Sequence, residues 1–461
     1  MRDFWQSITH ALKGKEQNYT TGSINRAILL LSIPMMIEMM GEGLFAVIDA
    51  YFLGKVSNAA ATTAGIVEVV ATLIYSLGIG ISIAATAVIA RRIGENKPEE
   101  AAKATVQAIL LSIGISVVIG ATGIIFAEDI LRLMKAEEEV IAVGTNYTRI
   151  LLGTNVVIML LFVLNGVFRG AGDAFMAMIS LWVANLINIA LDPLFIFGIG
   201  PFPELGATGA AVATSIGRGV GVAFQLYILF KGSRVIKLAW RHFQLIPEIL
   251  KKLINVASTG SLQFFIASAS WIFLARLVAE FGTDVYAGYF FAIRLILFAI
   301  LPAWGMANAG ATLVGQNLGA KNPERAAKSA WRTSFYNMAF MLIVGIICAS
   351  FARPLLEIFT TSEVAIETGV LTIRIICIGY LFFGIGMVLG QAFGGAGDTR
   401  TPTLVNFIAF WILEIPLAYF LTKTLGMGVG GVLWAIAISE TVLAIILVIL
   451  FKKGKWKTVE V

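Results

Sequence analysis

Seven carboxylates stand where the sequence is otherwise apolar: Glu38, Glu42, Asp49, Glu68 and Asp192 in the first half, Glu414 and Glu440 in the second. An Asp at the centre of a bilayer-spanning helix costs about 2.5–3.5 kcal/mol on insertion scales. Such a residue normally faces a bundle interior or a wet cavity and marks a functional site. At about 100° per residue, Glu42 lies roughly 40° from Glu38 around a helix and Asp49 roughly 20°, so all three share one face. In NLINIALDP, residues 185–193, Asn185, Asn188 and Asp192 fall within about 60° of one another. If these faces meet they form a polar pocket. Carboxylates crowded in a low-dielectric site resist ionising together, so such a pocket can take up a proton, or a cation through oxygen ligands. Glu38 and Glu42 read equally well as hydrogen-bonded interior residues. Asp49 also reads as a helix-end residue, because Gly54 and Lys55 follow closely. Glu68, Glu414 and Glu440 read as structural.

The elements that carry these residues follow from composition. Of 461 residues, 58% are hydrophobic and 13% charged, with a mean hydropathy of +0.87. Soluble proteins carry about 25% charged residues. Apolar runs near the roughly 20 residues that span a bilayer recur from Ala27 to Phe451. The alternating segments of a β-barrel do not. The spacing predicts an all-α membrane protein with twelve spans. They begin near Ala27, Ala60, Ala104, Ile141, Phe175 and Gly206, then near Ile254, Val285, Ser334, Ala365, Thr401 and Gly428.

Twelve is even, so both termini share a side. Of the 34 Lys and Arg, 24 fall in connections and tails on that side and five on the other. The excess predicts cytoplasmic termini in the plasma membrane and accounts for the net charge of +6 without a nucleic-acid partner. Arg169 is counted among the cytoplasmic loop bases. Arg149, Arg218, Arg276, Arg294 and Arg374 fall within or at the ends of spans. Phe4, Trp5, Ile8 and Leu12 have the spacing of an interfacial helix.

The chain also repeats itself. GENKPEEAAK, 94–103, returns as GAKNPERAAK, 319–328, and FRGAGD, 168–173, as FGGAGD, 393–398. Both pairs are offset by 225 residues, which indicates duplication into two pseudo-symmetric six-helix lobes. The expected division is a cytoplasmic segment 1–26, an N-terminal lobe 27–230, a cytoplasmic linker 231–253, a C-terminal lobe 254–451 and a cytoplasmic tail 452–461. The linker mixes apolar and basic residues as an amphipathic surface stretch does, and Pro247 breaks it or starts a helix. Pro34 removes a backbone hydrogen bond from the first helix and allows it to bend. Cys348 and Cys377 read as core residues. His10 and His242 lie outside the apolar runs, so no histidine metal site is expected. No GxxxxGK[ST] phosphate loop is present, and uphill transport would draw on an ion gradient.

PMMIEMMGEGLFAVIDAYFLG (34–54), ATAVIARRIGENKPEEAAKA (85–104), ATLVGQNLGAKNPERAAKSA (311–330), FRGAGDA and FGGAGDT, in this order on duplicated halves, resemble the MATE family (multidrug and toxic compound extrusion) over essentially the whole chain. The resemblance implies a V-shaped cavity between lobes and a cation or proton site in the first. It implies that Asp49 is the family's first-helix Asp, Asn188 and Asp192 its fifth-helix pair and Thr214 its sixth-helix Thr. Tyr147 and Asn165 resemble polar residues near that site. Second-lobe carboxylates used by one branch are not apparent, and Gln263 occupies the seventh-helix position; the pattern is similar to the DinF-like branch. Glu42 stands where many members have Gln, which adds an acid to the site.

The reading is a secondary active antiporter, not an enzyme. It would export amphipathic or cationic organic compounds in exchange for H⁺ or Na⁺, with no cofactor and no metal beyond Na⁺. Its partners would be small-molecule substrates, the coupling ion and lipids. A lipid-linked oligosaccharide flippase of the wider superfamily and a non-transporting receptor are the alternatives.

Overall fold

The computed structural model describes residues 18–232 and 235–461; Phe4, Trp5, Ile8, Leu12 and His10 lie outside them. The described residues form helices joined by short connections. The first half holds α1 (Ile24–Val56), α2 (Asn58–Gly94), α3 (Pro98–Ile125), the short α4 (Ala127–Leu133), α5 (Glu138–Gly153), α6 (Asn155–Ala171), α7 (Ala174–Phe197) and α8 (Ala207–Lys231). The second holds α9 (Pro247–Ala279), α10 (Thr283–Gly319), α11 (Pro323–Ser350), the short α12 (Ala352–Glu357), α13 (Glu363–Ala396), α14 (Arg400–Thr424) and α15 (Val429–Lys453). Eleven of these are long and apolar enough to cross a membrane, and α5 with α6, bent by 43° at Thr154, makes the twelfth.

Helices begin earlier than hydropathy alone predicts. The third starts at Pro98 and the ninth span at Pro323, each with proline in its first turn, where the missing N–H costs nothing. The seventh starts at Pro247, so residues 247–253 belong to a helix and not to the linker. In the rest of the linker the described residues 235–246 hold one 3-10 turn, Trp240–His242, between irregular stretches.

The duplication is visible in backbone geometry. Gly172 and Gly397 cap α6 and α13 at φ 85° and 89°, a left-handed conformation that glycine adopts without steric cost. Asn96 and Lys321 share it at φ 58° and 56°. The Trp182 indole donates to the Ile37 carbonyl at 3.2 Å, and Trp411 repeats this on Ile266 at 3.1 Å. The halves pack on each other reciprocally, α1 on α10 and α2 on both α9 and α10.

At the end that carries the termini the contact is close. A Cβ built on Gly94 would lie 2.0 Å from the Gln316 carbonyl oxygen; one on Gly319 would lie 2.1 Å from that of Arg91. These four positions are related by the same 225-residue offset. Arg325 adds hydrogen bonds to the carbonyls of Tyr19, Thr21 and Gly22 at 3.2, 2.8 and 3.0 Å. The guanidinium of Arg92 reaches the Val461 carbonyl at 3.0 Å, and that of Arg91 the Val459 carbonyl.

α14 differs from its counterpart α7. Residues Phe407–Glu414 and Phe420–Thr424 are π-helical, whereas α7 is α-helical throughout. Pro416 lies just beyond the first wide stretch.

Candidate functional site

The acids of α1 share a face but not a pocket. Glu38 and Asp49 are eleven residues apart, about 16 Å along a helix, and each has its own surroundings. Glu38 is fully buried, with Arg169 of α6 at 3.8 Å. That base is no loop residue: it lies in the last turn of α6, its side chain is buried, and it donates to Ser82 at 3.1 Å. Glu42 is held by the buried Arg218 of α8 through a paired contact, 2.7 and 3.0 Å. A two-point guanidinium–carboxylate pair of this kind is strong and geometrically specific. Arg218 also sits over the Phe45 ring at 4.5 Å. The extra acid expected at Glu42 is therefore compensated by a base, and adds no unpaired carboxylate to this part of α1.

Asn185 belongs to this same layer, where its amide donates to the Gly41 carbonyl at 3.0 Å. One turn further along α7 lies a second layer. Asn188 donates through Nδ2 both to Asp192 Oδ1 at 3.3 Å and to Thr214 Oγ1 of α8 at 3.2 Å. Asp192 is fully buried and Asn188 nearly so. The Asp49 carboxylate lies close enough to Asp192 for their charges to interact, and the buried Tyr147 hydroxyl of α5 feels both. Asn188, Asp192 and Thr214 are thus joined by hydrogen bonds across α7 and α8, with the Asp49 carboxylate and the Tyr147 hydroxyl in their electrostatic neighbourhood.

Three oxygens of this layer, Asp49 Oδ1, Asp192 Oδ2 and Asn188 Oδ1, are buried and accept no hydrogen bond. A buried acceptor left unmade costs about 1–3 kcal/mol. Acceptors in surplus with no donor to meet them are what a proton or a hard cation satisfies, since hard cations take oxygen ligands. The site lies where α6 bends away from α5: Thr154 at the break and Ser215 beside Thr214 share a hydrogen bond of 2.6 Å.

Asn165 stands apart. Its carbonyl oxygen accepts from Gln225 of α8 at 2.5 Å, eleven residues beyond Thr214 and so about 16 Å along that helix. Pro34 lies inside α1, which runs through it as one continuous helix. In the second half Glu414 is buried in the π-helical stretch, with Ser439 donating to Oε1 at 3.2 Å and Oε2 unpartnered. Among the described residues no three His, Cys, Asp or Glu side chains converge as they would around a tightly held metal.

The sequence marks Arg218 only as a base within a span and gives Gln225 no role. Arg218 carried a usable signal, as a lone base in the middle of a span whose half holds five buried-segment acids. Its pairing with Glu42, 176 residues away, had no local trace.

Comparisons with known proteins bear on the family and the fold. The MatE family model matches residues 34–194 and 261–420, once in each half. A protein described as probable multidrug resistance protein NorM, from Thermotoga maritima, is 29% identical, covering 94% of this chain and 93% of the relative. One described as an FAD transporter, from Shewanella oneidensis, is 26% identical over 92% and 93%. A solved structure described as the outward-facing conformation of a multidrug resistance MATE family transporter superposes with a TM-score of 0.89. It is 27% identical and covers 96% of this chain and 100% of that one.

Proposed function

This chain belongs to the MatE family, and on that premise we propose that it is a secondary active antiporter exporting amphipathic or cationic organic compounds as H⁺ or Na⁺ enters. It is a multi-pass membrane protein; in this reading its termini face the cytoplasm and its two lobes rock about the substrate path. The observation that carries the proposal is the surplus of buried acceptors on Asp49, Asn188 and Asp192. Asp49 and Asp192 bind the ion, Asn188 and Thr214 complete its oxygen ligands, and Tyr147 walls the pocket. Ion entry neutralises the layer and changes which of two forms is favoured, by as much as the ion's affinity differs between them. The close contact at the termini end supports reading this form as outward-facing. The acids of the first half weigh against an anionic lipid-linked sugar as cargo.

The test is flux in reconstituted vesicles. An organic cation dye should leave against its own gradient when H⁺ or Na⁺ is imposed separately, and one of the two should drive it. Asp192→Asn and Asp49→Asn should each abolish that drive while the dye still binds. Undiminished gradient-driven export in both variants would remove the ion assignment.

A further inference from the structure

A groove of about 990 Å³ opens at the termini end, between the start of α1, the first turns of α11 and the end of α15. Five bases line it, Arg325, Lys328, Arg332, Lys452 and Lys457, against one acid, Glu324. Only Lys457 meets that acid, at 2.7 Å. Arg325 is spent on backbone carbonyls and Arg332 on the Asn25 amide oxygen at 2.8 Å, which are neutral partners and leave the positive charge uncompensated. Lys328 and Lys452 are exposed, and no hydrogen bond or ion pair of theirs is seen among the described residues.

The first half supplies an internal control. At the 225-residue offset, Glu99 stands for Glu324, Glu100 for Arg325, Lys103 for Lys328, Val106 for Trp331 and Gln107 for Arg332. There the protein's own linker occupies the surface. Gln107 donates to the Gln244 carbonyl at 2.7 Å and accepts from the Ile246 amide at 3.0 Å, while Glu99 pairs with Arg241 at 2.8 Å and His242 at 2.9 Å. Lys103 is neutralised by Glu100 at 2.9 Å. In the second half an acid and an amide have become arginines and a valine has become tryptophan. The stretch before α1, Asn25 of α1 and Lys457 of the tail reach this surface, and they leave Lys328 and Lys452 without a charged partner among the described residues.

The surroundings say what should fill it. Trp331 lies in the groove wall, and tryptophan is a residue enriched where a bilayer meets water. Phe335, one turn further into the bilayer, is 62% exposed. A ligand that satisfies both levels carries a negative headgroup and an apolar tail. Basic pockets between helices near the membrane surface suit anionic lipid headgroups.

We propose that this groove binds the phosphodiester headgroup of an anionic phospholipid, with its acyl chains along Phe335. The bound lipid ties the start of α1, the helix that carries Asp49, to α11 and α15 of the other half. It thereby favours the form closed at the termini end.

The probe is phosphatidylglycerol, counted on the full-length protein by native mass spectrometry beside phosphatidylcholine. The wild type should retain phosphatidylglycerol in preference. At about 1 kcal/mol per base near an anionic headgroup, Lys328→Gln with Lys452→Gln should weaken that binding about thirtyfold and leave phosphatidylcholine unchanged. Both side chains are exposed, so the double variant should fold; an unchanged melting temperature checks this. Equal retention by the double variant overturns the proposal. So does an equal loss in the first-half counterpart Lys103→Gln, which would mean diffuse surface charge. Displacement of the lipid by inorganic phosphate alone would also overturn it, by making the site one for the free anion.

Discussion

Replacing Gly94 by alanine asks how much the closed end depends on bare backbone. The new methyl would lie 2.0 Å from the Gln316 carbonyl oxygen and 2.8 Å from its carbon. A comfortable carbon–oxygen approach is about 3.3–3.6 Å, so α2 and α10 must part by roughly 1.3 Å or more at this point. Neither atom is the end of a flexible side chain that can turn aside. Overpacking of this kind costs about 1–3 kcal/mol, and it is felt only where the helices touch. The ratio of closed to open forms should fall about 5–150-fold. Alanine also gains about 0.5–1 kcal/mol over glycine inside a helix, in both forms alike, so a melting curve would blur the effect. Spin labels at Lys97 and Lys453, both exposed, on a background with Cys348 and Cys377 replaced by alanine, report the separation directly. Gly94→Ala should shift the distance distribution outward, and Gly319→Ala should do the same. Gly114→Ala, where a Cβ meets nothing within 4 Å, should leave it unchanged. An unaltered distribution in folded Gly94→Ala protein would show that this contact does not hold the end shut.

Other expectations follow from single contacts. Glu42→Gln leaves the buried Arg218 guanidinium without its charged partner and should lower stability by about 1–3 kcal/mol, read from thermal melts; Glu42→Gln with Arg218→Met should recover part of the loss. Asn188→Ala removes the donor shared by Asp192 and Thr214 and should weaken ion affinity at least about tenfold, the equivalent of one charge-assisted hydrogen bond, in an ion-binding titration. Gln107→Ala gives up two bonds to the linker and should raise hydrogen exchange across residues 235–246 while that of α3 stays as it was.

The twelve spans were legible because hydropathy acts over whole segments, and the duplication because two motifs share one offset. The break at Thr154 was not. No proline marks it, and its stability comes from Asn155, whose amide meets the Leu152 and Ser116 carbonyls at 2.6 and 3.0 Å. The π-helical course of α14 was equally hidden, because a proline such as Pro416 announces a bend and not a widened turn. Helical spacing placed Glu38, Glu42 and Asp49 on one face correctly, yet angle says nothing of height. The distance along α1 separates them into layers with different partners. Asn188, Asp192 and Thr214 are joined by hydrogen bonds, whereas Asn165 bonds Gln225 of α8, a contact between helices that no local pattern announces.

The crossed glycine contact has the form of an isologous interface, in which each unit offers the other the same surface. The two halves are therefore arranged like the subunits of a homodimer, joined through the connection between α8 and α9. A tether keeps its two ends at an effective concentration in the millimolar range, so the halves cannot drift apart when the glycines separate. Their mutual grip can then be weak enough to release on every cycle, a freedom that two separate subunits in the membrane would lack.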